Sequence, residues 1–353
     1  MKKVLSLAAA GLLAAGAAQA GTLTVANSDI VLYGGVSAGY DWQDNDYSAV
    51  NSNNDNFRVN TFAVGLMKKA DANSPIGFNA AFASFNVPTV IASTDVVNNG
   101  SGLLNSGTTT TFKPWLAYVT IAPVEGLSVD AGLLWAKYGE APLTILNPHV
   151  NRGALFVMFD PVLFAGARVN YDAGVAKVYA GYNQGGGLYF PYNLSNRDAV
   201  EAGALADLGM AKVGIHMYDE SAGRNIYTLC AKADLGMAKA GLQISYLKED
   251  DAIQNNTTDD SSYGVALNID PVVTDQISIP VRIEYVNTDA KNDDTFWTFT
   301  ITPTYKPTKN TFVRAELSYA TSDANMFVDV DNPATPKDKD NRTTLGVEAG
   351  FLF

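Results

Sequence analysis

Cysteine and histidine are nearly missing from this chain: Cys230 is the single thiol, and His149 and His216 are the only imidazoles among 353 residues. One cysteine excludes an internal disulfide and any Cys-rich metal site. Positive charge is also short, with 24 Lys and Arg against 36 Asp and Glu and a formal net charge of −12. Nucleic-acid binders carry basic patches, so that class is set aside. Long apolar runs are absent beyond the first 20 residues, and a membrane-spanning helix needs roughly 20 apolar residues. No HExxH, GxSxG or phosphate-loop pattern occurs. No residue pattern asks for a cofactor.

What is there begins with a leader. Lys2 and Lys3 precede an apolar run from Val4 to Ala18, and Ala18-Gln19-Ala20 fits a small-x-small cleavage site. The expected division is a signal peptide over 1–20, a short segment over 21–28 and the folded body over 29–353. Loss of Lys2 and Lys3 takes the charge from −12 to −14. No Cys follows the cleavage site, which speaks against a lipid anchor.

The body alternates. Segments of about ten residues with one apolar face, separated by turn-rich connections, carry the dyad repeat of a transmembrane barrel. They are expected near 30–42, 56–68, 75–86, 113–122, 126–138, 161–171, 174–183, 198–208, 211–219, 225–235, 238–248, 261–269, 276–287, 294–305, 310–320 and 342–353. The fold class is thus all-β, an antiparallel up-and-down barrel of about 16 strands. Only helices and closed barrels satisfy their backbone groups in lipid.

The apolar faces are plain in places. Ile277, Ile279, Val281, Ile283 and Tyr285 oppose Ser278, Arg282 and Glu284. Val313, Ala315, Leu317 and Tyr319 oppose Arg314, Glu316 and Ser318. Aromatic residues at strand ends predict two girdles: Trp42, Trp135, Tyr182, Tyr246, Tyr285 and Tyr319 at one end, Tyr171, Tyr305 and Phe353 at the other. Around Arg58 and Asn60 the apolar register changes before Phe62, and a bulge near Thr61 would explain it. Connections alternate short and long, which places the long ones outside the cell.

The pattern Asp-x-Gly-x-Ala-Lys recurs at 172–177, 207–212 and 234–239. Gly supplies the positive φ of a tight hairpin, and the flanking Asp and Lys are expected to pair at the periplasmic rim. His216 and Cys230 both alternate into the lumen as wall residues. A hydrolase reading would need a nucleophile for His216, and none stands out.

Connection 139–160 differs from the Asp- and Asn-rich loops. It carries Leu143, Ile145, Leu146, Val150, Leu155, Phe156, Val157, Met158 and Phe159, too apolar to stay exposed. It either packs inside the barrel or contacts another subunit. Inward charges are mixed: Arg58, Arg168, Lys177, Lys212, Lys232, Arg282 and Arg314 share the lumen with Asp130, Glu201, Asp207, Asp234, Glu284, Glu316 and Glu348. A balanced, hydrated wall suits a water-filled channel. The acidic excess falls in loops, among them Asp44, Asp46, Asp55, Glu249, Asp250, Asp251, Asp259, Asp260, Asp289, Asp293, Asp294, Asp323, Asp329 and Asp331. A secondary hypothesis has these oxygens binding divalent cations.

The last segment, Thr343–Phe353, alternates without a break and ends on Phe. It resembles the terminal strand of bacterial outer-membrane barrels, and that resemblance makes Phe351 and Phe353 a signal for the barrel assembly machinery. The opening Val31-Leu32-Tyr33-Gly34-Gly35-Val36-Ser37-Ala38-Gly39-Tyr40, the Asn60–Leu66 strand, and Leu127–Tyr138 followed by the Asn147–Phe156 loop resemble the OmpL-like β-barrel porin family of Gram-negative bacteria. The resemblance covers the whole mature chain. It implies residence in outer-membrane lipid and passive diffusion of small hydrophilic solutes and ions, without cofactor or catalysis. It also implies a third loop folded into the pore, with Glu140, His149 and Arg152 near the constriction, and a homotrimer. A non-conducting structural or adhesive barrel and an outer-membrane hydrolase are the other readings.

Overall fold

The computed structural model describes residues 23–24, 29–46, 55–71, 74–91, 113–184, 198–221, 224–249, 260–288, 294–329 and 339–353. The expected leader lies outside them. Sixteen strands run in sequence order: β1 (Val31–Gln43), β2 (Asp55–Lys68), β3 (Ile76–Phe85), β4 (Lys113–Val124), β5 (Leu127–Trp135), β6 (Leu163–Asp172), β7 (Ala176–Gln184), β8 (Asp198–Asp207), β9 (Ala211–Glu220), β10 (Arg224–Asp234), β11 (Ala238–Glu249), β12 (Asp260–Thr274), β13 (Ile277–Ser278 continued by Val281–Thr288), β14 (Asp294–Ile301 continued by Thr304–Thr308), β15 (Thr311–Ser322) and β16 (Asn341–Leu352). Each pairs antiparallel with its neighbours in sequence. β16 returns to β1, Val36 opposite Phe351 and Tyr40 opposite Val347, so the sheet is closed. Closure leaves no unpaired edge, which lipid demands.

β13 and β14 are interrupted at Pro280 and Pro303. Proline cannot donate to a ladder. Both carbonyls still accept, from Thr302 N–H at 2.8 Å and Ala315 N–H at 3.1 Å, so the wall stays continuous.

The faces separate as the alternation requires. On β15 Val313, Leu317 and Tyr319 are exposed while Arg314, Glu316 and Ser318 are buried. On β16 Leu345, Val347 and Phe351 are exposed while Thr344 and Glu348 are buried. The outside of the sheet is therefore the apolar side. Moving one such side chain from water into hydrocarbon is worth roughly 1.5–3 kcal/mol, and every strand repeats the gain. Near the ends toward the long connections, Tyr227, Tyr246, Tyr263, Tyr285 and Trp297 follow one another on adjacent strands. Tyr285 and Trp297 rings lie 4.8 Å apart, centroid to centroid. Tyr171 and Tyr305 are exposed at the opposite ends.

Trp135 does not join the girdle. It is 5% exposed and packs edge-on against Trp115 at 4.1 Å, in a cluster with Leu143, Ile145 and Phe156. The expected strand over 126–138 stops at Trp135, and Leu134, Trp135 and Ala136 are buried in succession. The following connection covers this strand end from inside, so period-two logic lapses there. The bulge on β2 does occur: Ser37 pairs with Thr61 and Ala38 with Val59, leaving Asn60 as the extra residue.

The repeated turns behave as their sequence asks. Gly174, Gly209 and Gly236 have φ of 90°, 88° and 80°. Each donates its N–H to the Asp two residues earlier, at 2.9, 3.1 and 3.0 Å. Lys177 pairs with Asp172 at 2.7 Å and Lys212 with Asp207 at 3.5 Å, while Asp234 and Lys239 are register partners.

Candidate functional site

Connection 139–160 lies inside the barrel. Its neck is tied by Asp160, whose Oδ2 accepts the Glu140 N–H at 2.8 Å and whose Oδ1 accepts Gln243 Nε2–H at 2.7 Å. Gly139 has φ of 95°, and a Cβ there would meet Asp160 Cγ at 2.7 Å. Glycine is required on both counts. Further on, Thr144–Leu146 form a 3₁₀ turn and Ala154–Met158 a short helix, α1.

These pieces rest on the inner wall made by β12–β16, β1 and β2. Wall carboxylates accept from the loop backbone. Glu316 takes the N–H groups of Val150 and Asn151 at 2.5 and 2.8 Å, and Glu284 takes those of Ala154 and Leu155 at 2.8 and 3.3 Å. Wall guanidiniums donate to its carbonyls, Arg314 to Asn147 and Thr144 at 2.5 and 2.9 Å, and Arg282 to Asn151 at 3.0 Å. The Thr144 hydroxyl donates to Glu348 at 2.5 Å. Charge-assisted bonds in a water-poor interior are the strong kind, and losing one partner of a buried pair costs about 3–5 kcal/mol.

Apolar contact completes the docking. Leu143, Val150, Leu155, Phe156 and Phe159 are buried, whereas Val157 faces out. Two wall glycines make the room. A Cβ on Gly35 would meet Ile145 at 2.9 Å, and one on Gly264 would meet Phe159 at 2.9 Å and Leu155 at 3.0 Å. The apolar loop therefore packs inward rather than standing free.

Glu140, His149 and Arg152 are brought together, as struts of the loop. Glu140 pairs with Arg282 at 2.5 Å and accepts the Gly153 N–H at 2.8 Å. His149 Nδ1 lies 2.7 Å from the Thr302 hydroxyl. Burial, with Arg282, Arg152 and Arg314 near, holds His149 well below its usual pKa, so the ring is neutral. Arg152 is wholly buried and donates to the carbonyls of Ala141, His149 and Val150. Periodicity had not marked Thr144, Asn151, Asp160, Gln243, Gly35 or Gly264. For Gly35, Gln243 and Gly264 the signal is a small or polar residue at an inward strand position; for Thr144, Asn151 and Asp160 it is a polar residue within an otherwise apolar loop.

The expected hydrated wall is divided. Arg282, Glu284, Arg314, Glu316 and Glu348 face inward but are buried, because the inserted loop occupies their donors and acceptors. Arg168 and Glu201 form a buried bidentate pair at 2.7 and 2.9 Å, and Arg58 pairs with Asp41 at 2.7 Å. Lys177, Lys212, Asp207, Asp234 and Lys232 lie toward the short turns, Lys232 and Lys212 exposed there. Beside the docked loop a cavity of about 280 Å³ runs along β2–β8, lined among others by Asn79, Tyr118, Asp130, Lys137, Asn170 and Tyr179.

His216 is a wall residue beside this space, its Nδ1 at 2.9 Å from the Tyr179 hydroxyl and its ring stacked on Tyr138. A Cβ on Gly214 would touch both His216 and Cys230, which places the thiol on the inner face as well. Among the described residues no group of His, Cys, Asp or Glu is arranged to hold a metal ion. Asp44 accepts the Thr343 N–H at 2.7 Å, Glu249 pairs with Arg224, and Asp329 pairs with Lys339 at 3.6 Å. Asp250, Asp251, Asp259, Asp289, Asp293 and Asp331 lie outside the described residues. At the C-terminus Phe353 exchanges two backbone hydrogen bonds with Gly34, at 2.9 and 3.0 Å, and its ring packs near Phe351.

Solved structures share the architecture. An anion-selective porin from Comamonas acidovorans superposes with a TM-score of 0.66 at 11% identity, over 92% of this chain and 99% of that one. OmpT of Vibrio cholerae, in-vitro folded and in trimer form, gives 0.61 at 14% identity over 92% and 99%. Pseudomonas putida OprB gives 0.61 at 13% over 91% and 94%. At such identities the likeness concerns the fold. No curated protein matches the chain in sequence. Residues 29–353 match the family described as "Putative beta-barrel porin-2, OmpL-like", and the chain belongs to that family of outer-membrane porins.

Proposed function

We propose that connection 139–160 sets the width of this porin's channel, and that Glu140, His149 and Arg152 act by holding it in place rather than by facing the solute. The observation that carries this is the anchoring of the loop inside the barrel by Glu284, Glu316, Arg282, Arg314 and Glu348, with a cavity left beside it along β2–β8. Small hydrophilic solutes and ions then diffuse through that remaining space, driven only by their own gradients. A barrel of 16 strands is wide enough to need such narrowing, since about eight would already be filled by side chains.

No catalytic step is assigned. His216 meets a tyrosine hydroxyl, not a serine or aspartate nucleophile, and His216→Ala is expected to leave conductance intact. The protein is also proposed to lie in outer-membrane lipid as a homotrimer, folded through recognition of its Phe351–Phe353 end.

Release of the loop is the test. In Glu284→Ala/Glu316→Ala, four loop N–H groups lose their acceptors. Single-channel conductance in planar bilayers should rise severalfold above wild type. An unchanged conductance from a folded double variant removes 139–160 as the width-setting element.

A further inference from the structure

We propose that Lys137 forms a subsite for small oxyanions, carboxylate or phosphate, in the lumen beside the docked loop; this rests on the channel reading above and names what that channel prefers. The chain as a whole carries −12, yet the charge facing this cavity has the opposite sign. Lys68, Lys69, Lys137 and Lys177 line it, against Asp130 and Asp172.

Those two carboxylates are engaged. Asp172 pairs with Lys177 at 2.7 Å, and Asp130 accepts from the Thr120 hydroxyl at 2.6 Å and from Asn170 at 2.9 Å. Lys68 is matched by Asp29 at 3.3 Å at the rim. Lys137 takes part in none of the ion pairs among the described residues. Its Nζ stands 6.0 Å from the centroid of the Tyr179 ring. Arg168, the next cation inward, is neutralised by Glu201.

Distance decides which charges a permeating ion feels. At physiological salt, exposed charges are screened beyond about 8 Å, so acidic loop tips outside contribute little inside. An ion crossing the cavity meets the Lys137 amine with no carboxylate paired to it, beside the Tyr179 ring, in a space of about 280 Å³. That volume holds a small carboxylate or a phosphate with part of its hydration. Burial and the neighbouring Arg168 lower the pKa of Lys137 to about 7, so the amine carries its charge below that pH. Lysine suits such a task as a compact point charge.

The test is ion selectivity at pH 6, where Lys137 is protonated, read as the zero-current potential across a bilayer under a tenfold KCl gradient. Wild type should prefer chloride over potassium. Lys137→Gln should lower the anion-to-cation permeability ratio severalfold, Lys137→Glu should invert it, and Lys137→Arg should retain it. Lys69→Gln, at the mouth, should have a smaller effect than Lys137→Gln. Wild-type protein alone gives a second readout: inorganic phosphate should reduce the chloride current along a saturating curve. A Lys137→Gln channel that conducts with an unchanged reversal potential overturns the subsite, as does an unsaturable phosphate effect in wild type. Absence of any conductance would instead strike the channel reading itself.

Discussion

Asp160 is buried where the inserted connection rejoins the wall, and burial raises its carboxyl from the usual 3.8 to about 7, against the hydrogen bonds from Glu140 and Gln243 that favour the charged form. The folded state therefore holds this proton more tightly than the unfolded chain does. Its contribution to stability is largest below about pH 4 and is lost as pH rises toward 7, with a slope approaching about 1.4 kcal/mol per pH unit. Asn at 160 keeps the shape, since Gln243 can turn its amide to accept, and it carries no charge at any pH. Thermal unfolding in micelles at pH 4 and pH 8 checks this. Asp160→Asn should match wild type at the lower pH and exceed it at the higher one; parallel losses in both proteins would assign the pH dependence elsewhere.

Individual side chains also mark what sequence reasoning could reach. Arg282, Glu284, Arg314, Glu316 and Glu348 were legible as inward residues, because each sits between apolar neighbours in a period of two. Their partners were not legible. Alternation says which face a residue occupies but not what else comes to that face, so charges expected to meet water turned out to meet a loop.

At the scale of elements, strand order and number followed from alternation and turn chemistry, down to the positive-φ glycines of the Asp-x-Gly-x-Ala-Lys turns. The pattern failed where two strands depart from regular pairing. Asn60 is an extra residue on β2, and the β3–β4 register shifts between Ala81 and Phe82 beside Trp115. Trp135 follows Trp115 into the interior, since the apolar side of connection 139–160 is there to cover it. A girdle position and a loop-covered position look alike in sequence.

The terminal strand carries its own prediction. Phe353 contributes both backbone bonds to Gly34, and a Cβ on Gly34 would lie 2.7 Å from its ring, so the two residues are fitted to each other at the closing seam. Deleting Phe353 removes that seam contact and the proposed assembly signal together. The share of protein reaching the outer membrane in heat-modifiable form should fall severalfold. Full recovery of folded protein from the truncated gene would contradict the assigned role.

For the whole molecule, one asymmetry organises the interior. The wall from β12 through β16 to β2 holds the loop by its charged groups, which meet loop backbone and side-chain partners, while the ends of β3–β5 cover the loop's apolar side. Toward the short turns, β2–β8 line a cavity in which lysine outnumbers aspartate. Outside, exposed Val, Leu, Ile and aromatic residues ring the sheet and demand hydrocarbon. Width is thus assigned to the inserted connection, preference to a lysine beside its neck, and membrane residence to the outer face of the sheet.

Recording current through purified wild-type protein in a planar lipid bilayer tests the central claim most directly. The structure predicts discrete conductance steps, linear in voltage, from a narrow opening beside the docked loop. A folded, heat-modifiable barrel that inserts yet passes no ions at any voltage would contradict it.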